Sequence, residues 1–174
     1  MHSASNGTFD DEYIGYVLDT YSDRIIKLCY SYVRSVHDAE DAAEEVFCEL
    51  IKRRPVFEST EHEKAWLLRT AVNKCKNHLK SGWVSKTLLS DDLSELDIPV
   101  TDDGGVSQED KRQLLEAVMS LPEKYRTVIH MYYYMSLSIN EIAELKHISP
   151  STVGTHLARG RDMLRKKLGG DFYG

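Results

Sequence analysis

The sequence predicts an all-α protein: two small helical domains joined by a flexible acidic linker. Three observations lead to that expectation. Apolar residues recur at three- and four-residue steps through most of the chain, and no stretch alternates residue by residue as a strand does. A turn-rich acidic segment interrupts the pattern near the middle. Beyond it lie two capped helices separated by a short turn. A length of 174 residues suffices for two modest domains.

The first helix is expected over about 10–35, where Ile14, Val17, Leu18, Tyr21, Ile25, Leu28, Cys29 and Tyr32 share a face. Asp38 is expected to cap a second helix whose apolar side is Ala39, Ala42, Ala43, Val46, Phe47, Leu50 and Ile51, with Pro55 closing it. Ser59 or Thr60 opens a third, lined by Ala65, Leu68, Ala71, Val72, Cys75 and Leu79. From Gly82 the periodicity fails. The stretch SDDLSELDIPVTDDGGVSQED is acidic and rich in turn formers, so 82–108 reads as linker between a first domain, 1–81, and a second, 109–170.

The second domain opens with a helix over about 108–120, bearing Leu114, Leu115, Val118 and Met119. Pro122 suits the first turn of the next helix, 122–134. Ser138-Ile139-Asn140-Glu141 matches a capping box, Lys146-His147-Ile148 a turn, and Ser149-Pro150 a further helix start. That last helix buries Val153, Leu157, Leu164 and Leu168, with small Ala143 near the crossing, which is the helix-turn-helix pattern.

The net charge of −6 conceals a segregation. Residues 1–80 have net charge −3, residues 81–110 net −7 and residues 111–174 net +4. No apolar run approaches the roughly 18 residues of a membrane span, and MHSASNGTFDDEY lacks the blocks of a signal peptide. The expected location is cytoplasmic. Cys29, Cys48 and Cys75 are widely spaced among apolar residues and read as buried free thiols. No catalytic constellation, metal-ligand spacing or cofactor motif is present, so no enzyme activity, metal or cofactor is expected.

Three polar faces remain. Ser149, Ser151, Thr152, Thr155, His156 and Arg159 occupy the half of the last helix that a helix-turn-helix inserts into the major groove, where such side chains bond base edges. Arg161, Arg165, Lys166 and Lys167 suit the phosphate backbone. On the third helix, Arg69, Lys74, Lys76 and Lys80 accompany Trp66, Asn73, Asn77 and His78, cations and a stacking aromatic that suit single-stranded DNA. On the second, Glu40, Asp41, Glu44 and Glu45 form a cluster whose internal repulsion a basic partner would relieve. A stand-alone helix-turn-helix regulator or a helical protein-binding adaptor would use such faces.

These segments resemble the small, extracytoplasmic-function (ECF) type of bacterial RNA polymerase sigma factor. DAEDAAEEVFCEL is similar to the family's core-binding helix, DAEDLVQEVFLKL; KAWLLRTAVNKCKNHLK to its −10-reading helix; and SLPEKYRTVIHMYYYMSLSINEIAELKHISPSTVGTHLARGRDMLRKKL to its −35-reading domain. The resemblance covers roughly 10–80 and 108–168. It implies an alternative sigma factor in which the acidic helix, with Asp38, Glu40, Asp41, Glu44, Glu45 and Phe47, docks on the coiled coil of the polymerase's largest subunit. It further implies that the third helix captures the opened −10 strand, aided by a base pocket in the 55–63 loop. The second domain would read −35 promoter DNA and rest on the polymerase flap, and an anti-sigma factor would restrain the protein. Departures from the family pattern are Glu44 for Gln, Ala42-Ala43 for larger apolar residues, and Lys146-His147 for Leu-Gly. Gly154 and His156 stand where Lys and Arg are frequent. A positive φ at His147 would cost energy that Gly avoids.

Overall fold

The protein is described here from a computed structural model, over residues 10–81 and 107–169. It divides into two compact units, Met1–Lys86 and Thr87–Gly174. Most of the expected linker, 82–106, lies outside the described residues.

The first unit is three mutually packed helices, α1 (Asp11–Val33), α2 (Val36–Arg53) and α3 (Thr60–Lys80). Asp10 caps α1, accepting from the Tyr13 amide at 2.9 Å. The second helix starts earlier than expected: Ser35, not Asp38, is its cap, and the Ser35 hydroxyl accepts from the Asp38 amide. Arg34 turns left-handed (φ 60°) immediately before it, so the chain reverses between α1 and α2 within two residues and Asp38 falls inside the first turn. Its negative charge there still favours the helix dipole. Ser59 caps α3, settling the choice between Ser59 and Thr60.

The core holds Val17, Tyr21, Ile25, Leu28, Ala39, Ala42, Ala43, Val46, Leu50, Leu67, Ala71 and Val72. The alanines of α2 let its backbone approach its neighbours closely. Three residues expected on apolar faces sit at the edge instead: Leu18 is 40% exposed, Ile51 41% and Leu79 37%. Leu18 and Ile51 lie at the margin of the buried arcs of α1 and α2, where the neighbouring helices cover them only in part. Cys29 and Cys75 are buried and hydrogen-bonded to one another; that contact and the burial raise the Cys75 pKa. Cys48, expected to be buried, is exposed, because it follows Phe47 on the turn away from the core.

The second unit comprises α4 (Gln108–Met119), α5 (Glu123–Ile129), α6 (Ile139–Lys146) and α7 (Pro150–Leu168). Pro122 is the N-cap of α5 rather than its first helical residue. The single helix expected over 122–134 is split: after Ile129 the chain widens into a π-helical turn, His130–Tyr134. Ser136, at φ 55°, then reverses the backbone ahead of α6. The capping box is present, with the Glu141 amide donating to Ser138 Oγ at 3.1 Å and the Ser138 amide to Glu141 Oε2 at 2.7 Å. His147 adopts φ 55°, as the turn requires, and Ser149 caps α7 with Pro150 in its first turn. Lys146, expected in the turn, is instead the buried last residue of α6; its Nζ donates to Thr127 Oγ1 at 2.5 Å and lies 3.5 Å from Glu123. At the crossing of α5 and α7, a Cβ on Gly160 would lie 3.0 Å from Ile129 Cγ1.

Candidate nucleic-acid interface

The expected site residues sort into three helix faces. On α2, Glu40, Glu44 and Glu45 are exposed and Asp38 and Asp41 half-buried, opposite the alanine stripe. Phe47 turns inward, so it supports this face from beneath instead of forming part of it. The acids are not all open to solvent alone. Glu45 Oε1 is 3.1 Å from His78 Nε2, and Glu49 pairs with Arg53 and, at 3.5 Å, with Lys74 Nζ. The hydrogen bond from Arg53, with help from Lys74, lowers the Glu49 pKa. His37 Nε2 lies 3.5 Å from Asp41.

On α3, Trp66, Arg69, Asn73, Lys76 and Lys80 follow one another at steps of three and four, which lines them along one stripe with Lys74 and Asn77 at its borders. Arg69, Asn73, Asn77 and Lys80 are exposed; Trp66, Lys74, Lys76 and His78 are half-buried. The Trp66 ring rests edge-on against Phe57, centroids 6.0 Å apart, and Phe57 also meets His62 at 5.4 Å. Phe57 thus braces the Trp66 ring from within the loop before α3, while Val56 beside it is 76% exposed.

On α7, Ser151, Thr155, Arg159, Arg165 and Lys166 are exposed on the side away from Val153, Leu157, Gly160 and Leu164. Several of these groups already hold protein partners. The Ser149 and Thr152 hydroxyls lie 2.8 Å apart, and Thr155 Oγ1 donates to the Ser151 carbonyl at 3.1 Å. Lys166 pairs with Asp162 at 3.1 Å. His156 is half-buried, its ring edge-on to Tyr125 at 5.5 Å, with Nδ1 buried and unpartnered. Burial, then the charges of Lys124, Lys146 and Arg159, lower its pKa and favour the neutral ring. Arg159 hydrogen-bonds the Tyr125 hydroxyl, which lowers the tyrosine's pKa. Arg161 stands apart from the stripe. It donates to Tyr133 Oη at 2.5 Å and lies over the Tyr132 and Tyr133 rings at 5.7 and 5.5 Å. Gly154 has open space where a Cβ would project.

Sequence reasoning missed one polar centre of the first unit. Glu63 is only 3% exposed; its Oε2 accepts from Tyr13 Oη at 2.7 Å and its Oε1 from Tyr21 Oη at 3.1 Å. The signal was present: Glu63, Leu67, Ala71 and Cys75 follow a four-residue stride, so the core stripe of α3 extends onto an acid. Among the described residues no group of His, Cys, Asp and Glu could hold a metal ion, and no helix is long and apolar enough to cross a membrane.

A three-helix unit with adjoining acidic and basic faces, in one chain with a helix-turn-helix unit, defines a DNA-binding transcription factor. Comparison with known proteins narrows the class. The Sigma-70 region 2 family matches residues 17–84, and the Sigma-70, region 4 family matches residues 111–164. The chain is 32% identical over 171 residues to the ECF RNA polymerase sigma factor SigW of Bacillus subtilis (strain 168), covering 91% of this chain and 90% of the relative. It is 25% identical to the ECF RNA polymerase sigma-E factor of Haemophilus influenzae, covering 91% and 89%. The fold is that of the sigma factor RpoE solved with the anti-sigma factor NepR from Bartonella quintana (TM-score 0.67, 16% identity, 93% and 99% covered). It is equally that of CnrH solved with the cytosolic domain of CnrY (TM-score 0.65, 18% identity, 97% and 94% covered). The chain belongs to the ECF RNA polymerase sigma factors. It is a transcription-initiation factor that directs RNA polymerase to particular promoters, which sets aside the stand-alone regulator.

Proposed function

We propose that the three faces divide the work of initiation. The acidic face of α2 (Asp38, Glu40, Asp41, Glu44, Glu45) docks on a basic coiled coil of the polymerase core. The α3 stripe, from Trp66 to Lys80, holds the opened −10 strand. The outward face of α7, from Ser149 to Lys166, reads the −35 duplex, and the second unit rests on the polymerase flap. The functional boundaries proposed are 1–81 for core and −10 binding, 82–108 for the linker and 109–170 for −35 binding. The chain catalyses nothing itself and acts in the cytoplasm. RpoE was solved with the anti-sigma factor NepR and CnrH with part of CnrY; restraint of this chain by an anti-sigma factor is the corresponding proposal.

The observation that supports this reading most directly is the sign change between adjoining helices. Carboxylates gather on the outer side of α2, and cations, amides and a braced tryptophan on α3, within one small unit. Like charges along one helix repel, so the α2 cluster costs stability until a cationic surface meets it. Reversing Glu44, which is exposed on the outer side of α2, tests the docking face. Glu44→Arg in the full chain is expected to weaken binding to polymerase core by roughly tenfold or more, the scale of a reversed interfacial charge. Binding of the same variant to a −35 duplex should not change. Equal loss in both assays would remove α2 from the docking role.

A further inference from the structure

We propose that Glu63 is a positioning residue for promoter opening: with Tyr13 and Tyr21 it locks the leading end of α3, and through it Trp66, in the orientation that receives the −10 strand. The inference rests on the assignment of the α3 stripe to that strand.

Glu63 sits in the first turns of α3, and both its oxygens are bonded to phenols of a different helix, at 2.7 Å from Tyr13 and 3.1 Å from Tyr21. Both tyrosines are buried, and their spacing of eight residues places them on one side of α1 about two turns apart. Burial first, then the adjacent Glu63 charge, raises both phenol pKa values, so both remain donors across the physiological range. A carboxylate removed from water is costly unless its oxygens are bonded, and this one is bonded from two directions.

Stability alone does not explain such a group. An apolar side chain of similar size would pack there without desolvating a charge, and replacing all partners of a buried polar cluster with apolar groups is often neutral or stabilising. What apolar contact lacks is direction. Two hydrogen bonds to points two turns apart on α1 fix both the rotation of α3 about its axis and its slide along α1. The part of α3 so fixed is the one that presents function. Trp66 lies three residues beyond Glu63 and leans on Phe57, which also meets His62 in the first turn. A small rotation of α3 would move Trp66 relative to Phe57 and Val56, and binding constellations tolerate errors of only about 0.5 Å.

The test uses the full chain assembled with polymerase core and a forked DNA whose −10 segment is single-stranded on the non-template side. The principal variant combines Tyr13→Phe, Tyr21→Phe and Glu63→Met, which removes the lock and leaves no orphaned polar group. Thermal denaturation and affinity for core should match the parent, whereas affinity for the forked DNA should fall on the order of tenfold, the cost of a poorly seated base stack. Tyr21→Phe alone, which leaves Glu63 bonded to Tyr13, should give a smaller loss in the same assay. Parental affinity for the fork in the folded triple variant overturns the proposal. If the triple variant does not fold, parental affinity in Tyr21→Phe overturns it instead. Trp66→Ala is the control. Should it bind the fork as the parent does, the −10 assignment itself falls, and the positioning role with it; should it lose binding while the lock variants do not, only the positioning role falls.

Discussion

Individual residues of this protein depart from the locally cheapest choice where the backbone turns. Arg34, Arg54, Ser136 and His147 all adopt positive φ, between 47° and 60°, where glycine is the comfortable residue. At His147 the left-handed turn sets the angle between α6 and α7, and the His147 side chain is exposed. His147→Gly removes the left-handed penalty of about 1–2 kcal/mol but gives back part of it as unfolded-chain entropy. The net expectation is a gain of about 0.5–1 kcal/mol, read as a higher urea midpoint for the second unit, with an unaltered −35 duplex affinity. A lower midpoint would mean that the imidazole makes a contact worth more than the strain.

At the scale of elements, close approach matters more than capping. The second unit holds α5 against α7 through Gly160, where even a methyl group would press on the Ile129 side chain at 3.0 Å. Gly160→Val is therefore expected to destabilise this unit by about 1–3 kcal/mol through overpacking, lowering its melting temperature and its −35 duplex affinity together. An unaltered melting temperature would show that Ile129 yields freely. The π-helical turn at His130–Tyr134 is a second element-level feature that propensity did not announce. It directs Tyr133, 53% exposed, toward Arg161, so a cation expected on phosphate is held by aromatic rings at the flank of α7. In the first unit the α2 acids meet α3 side chains at Glu45–His78 and Glu49–Lys74, pairs that join the acidic face to the basic stripe. Both pairs are solvent-accessible and add little to stability.

For the whole molecule, the decisive quantity is where its charge lies. Of the net −6, residues 81–110 alone account for −7, while residues 111–174 are net +4. An acidic segment adjoining a basic reader in the chain repels phosphate over a Debye length of roughly 10 Å at 0.1 M salt. Neutralising Asp91, Asp92, Glu95, Asp97, Asp102 and Asp103 to their amides should raise affinity for arbitrary duplex DNA on the order of tenfold at low salt, with the gain vanishing as salt rises. A gel-shift series in increasing salt checks this. No change at low salt would mean that the acidic segment does not screen the reader.

Much of this was legible in the sequence, because helix starts and faces are written locally. The capping box at Ser138 and Glu141, the cap at Ser149 and the stripe of Val153, Leu157 and Leu164 depend on neighbours within a turn or two, and the helix-turn-helix follows from them. The acidic face of α2 and the basic stripe of α3 follow from periodicity in the same way. Where the cues lay between elements, local reading failed. Asp38 looked like a cap until the two-residue reversal at Arg34 and Ser35 brought the start of α2 forward. Nothing near Ile51 or Cys48 indicates how far around α2 its neighbours reach, nor does the text around Glu63 name Tyr13 and Tyr21, some fifty and forty-two residues away, as its partners. The chain's own periodicity gives the helical class, the polar faces and the family, though not the start of α2 or the break after Ile129. Which edge residues are covered, which cations are already paired and which groups Glu63 bonds came from the assembled fold, because burial and pairing depend on the neighbour across the interface, whereas helix periodicity depends on the chain itself.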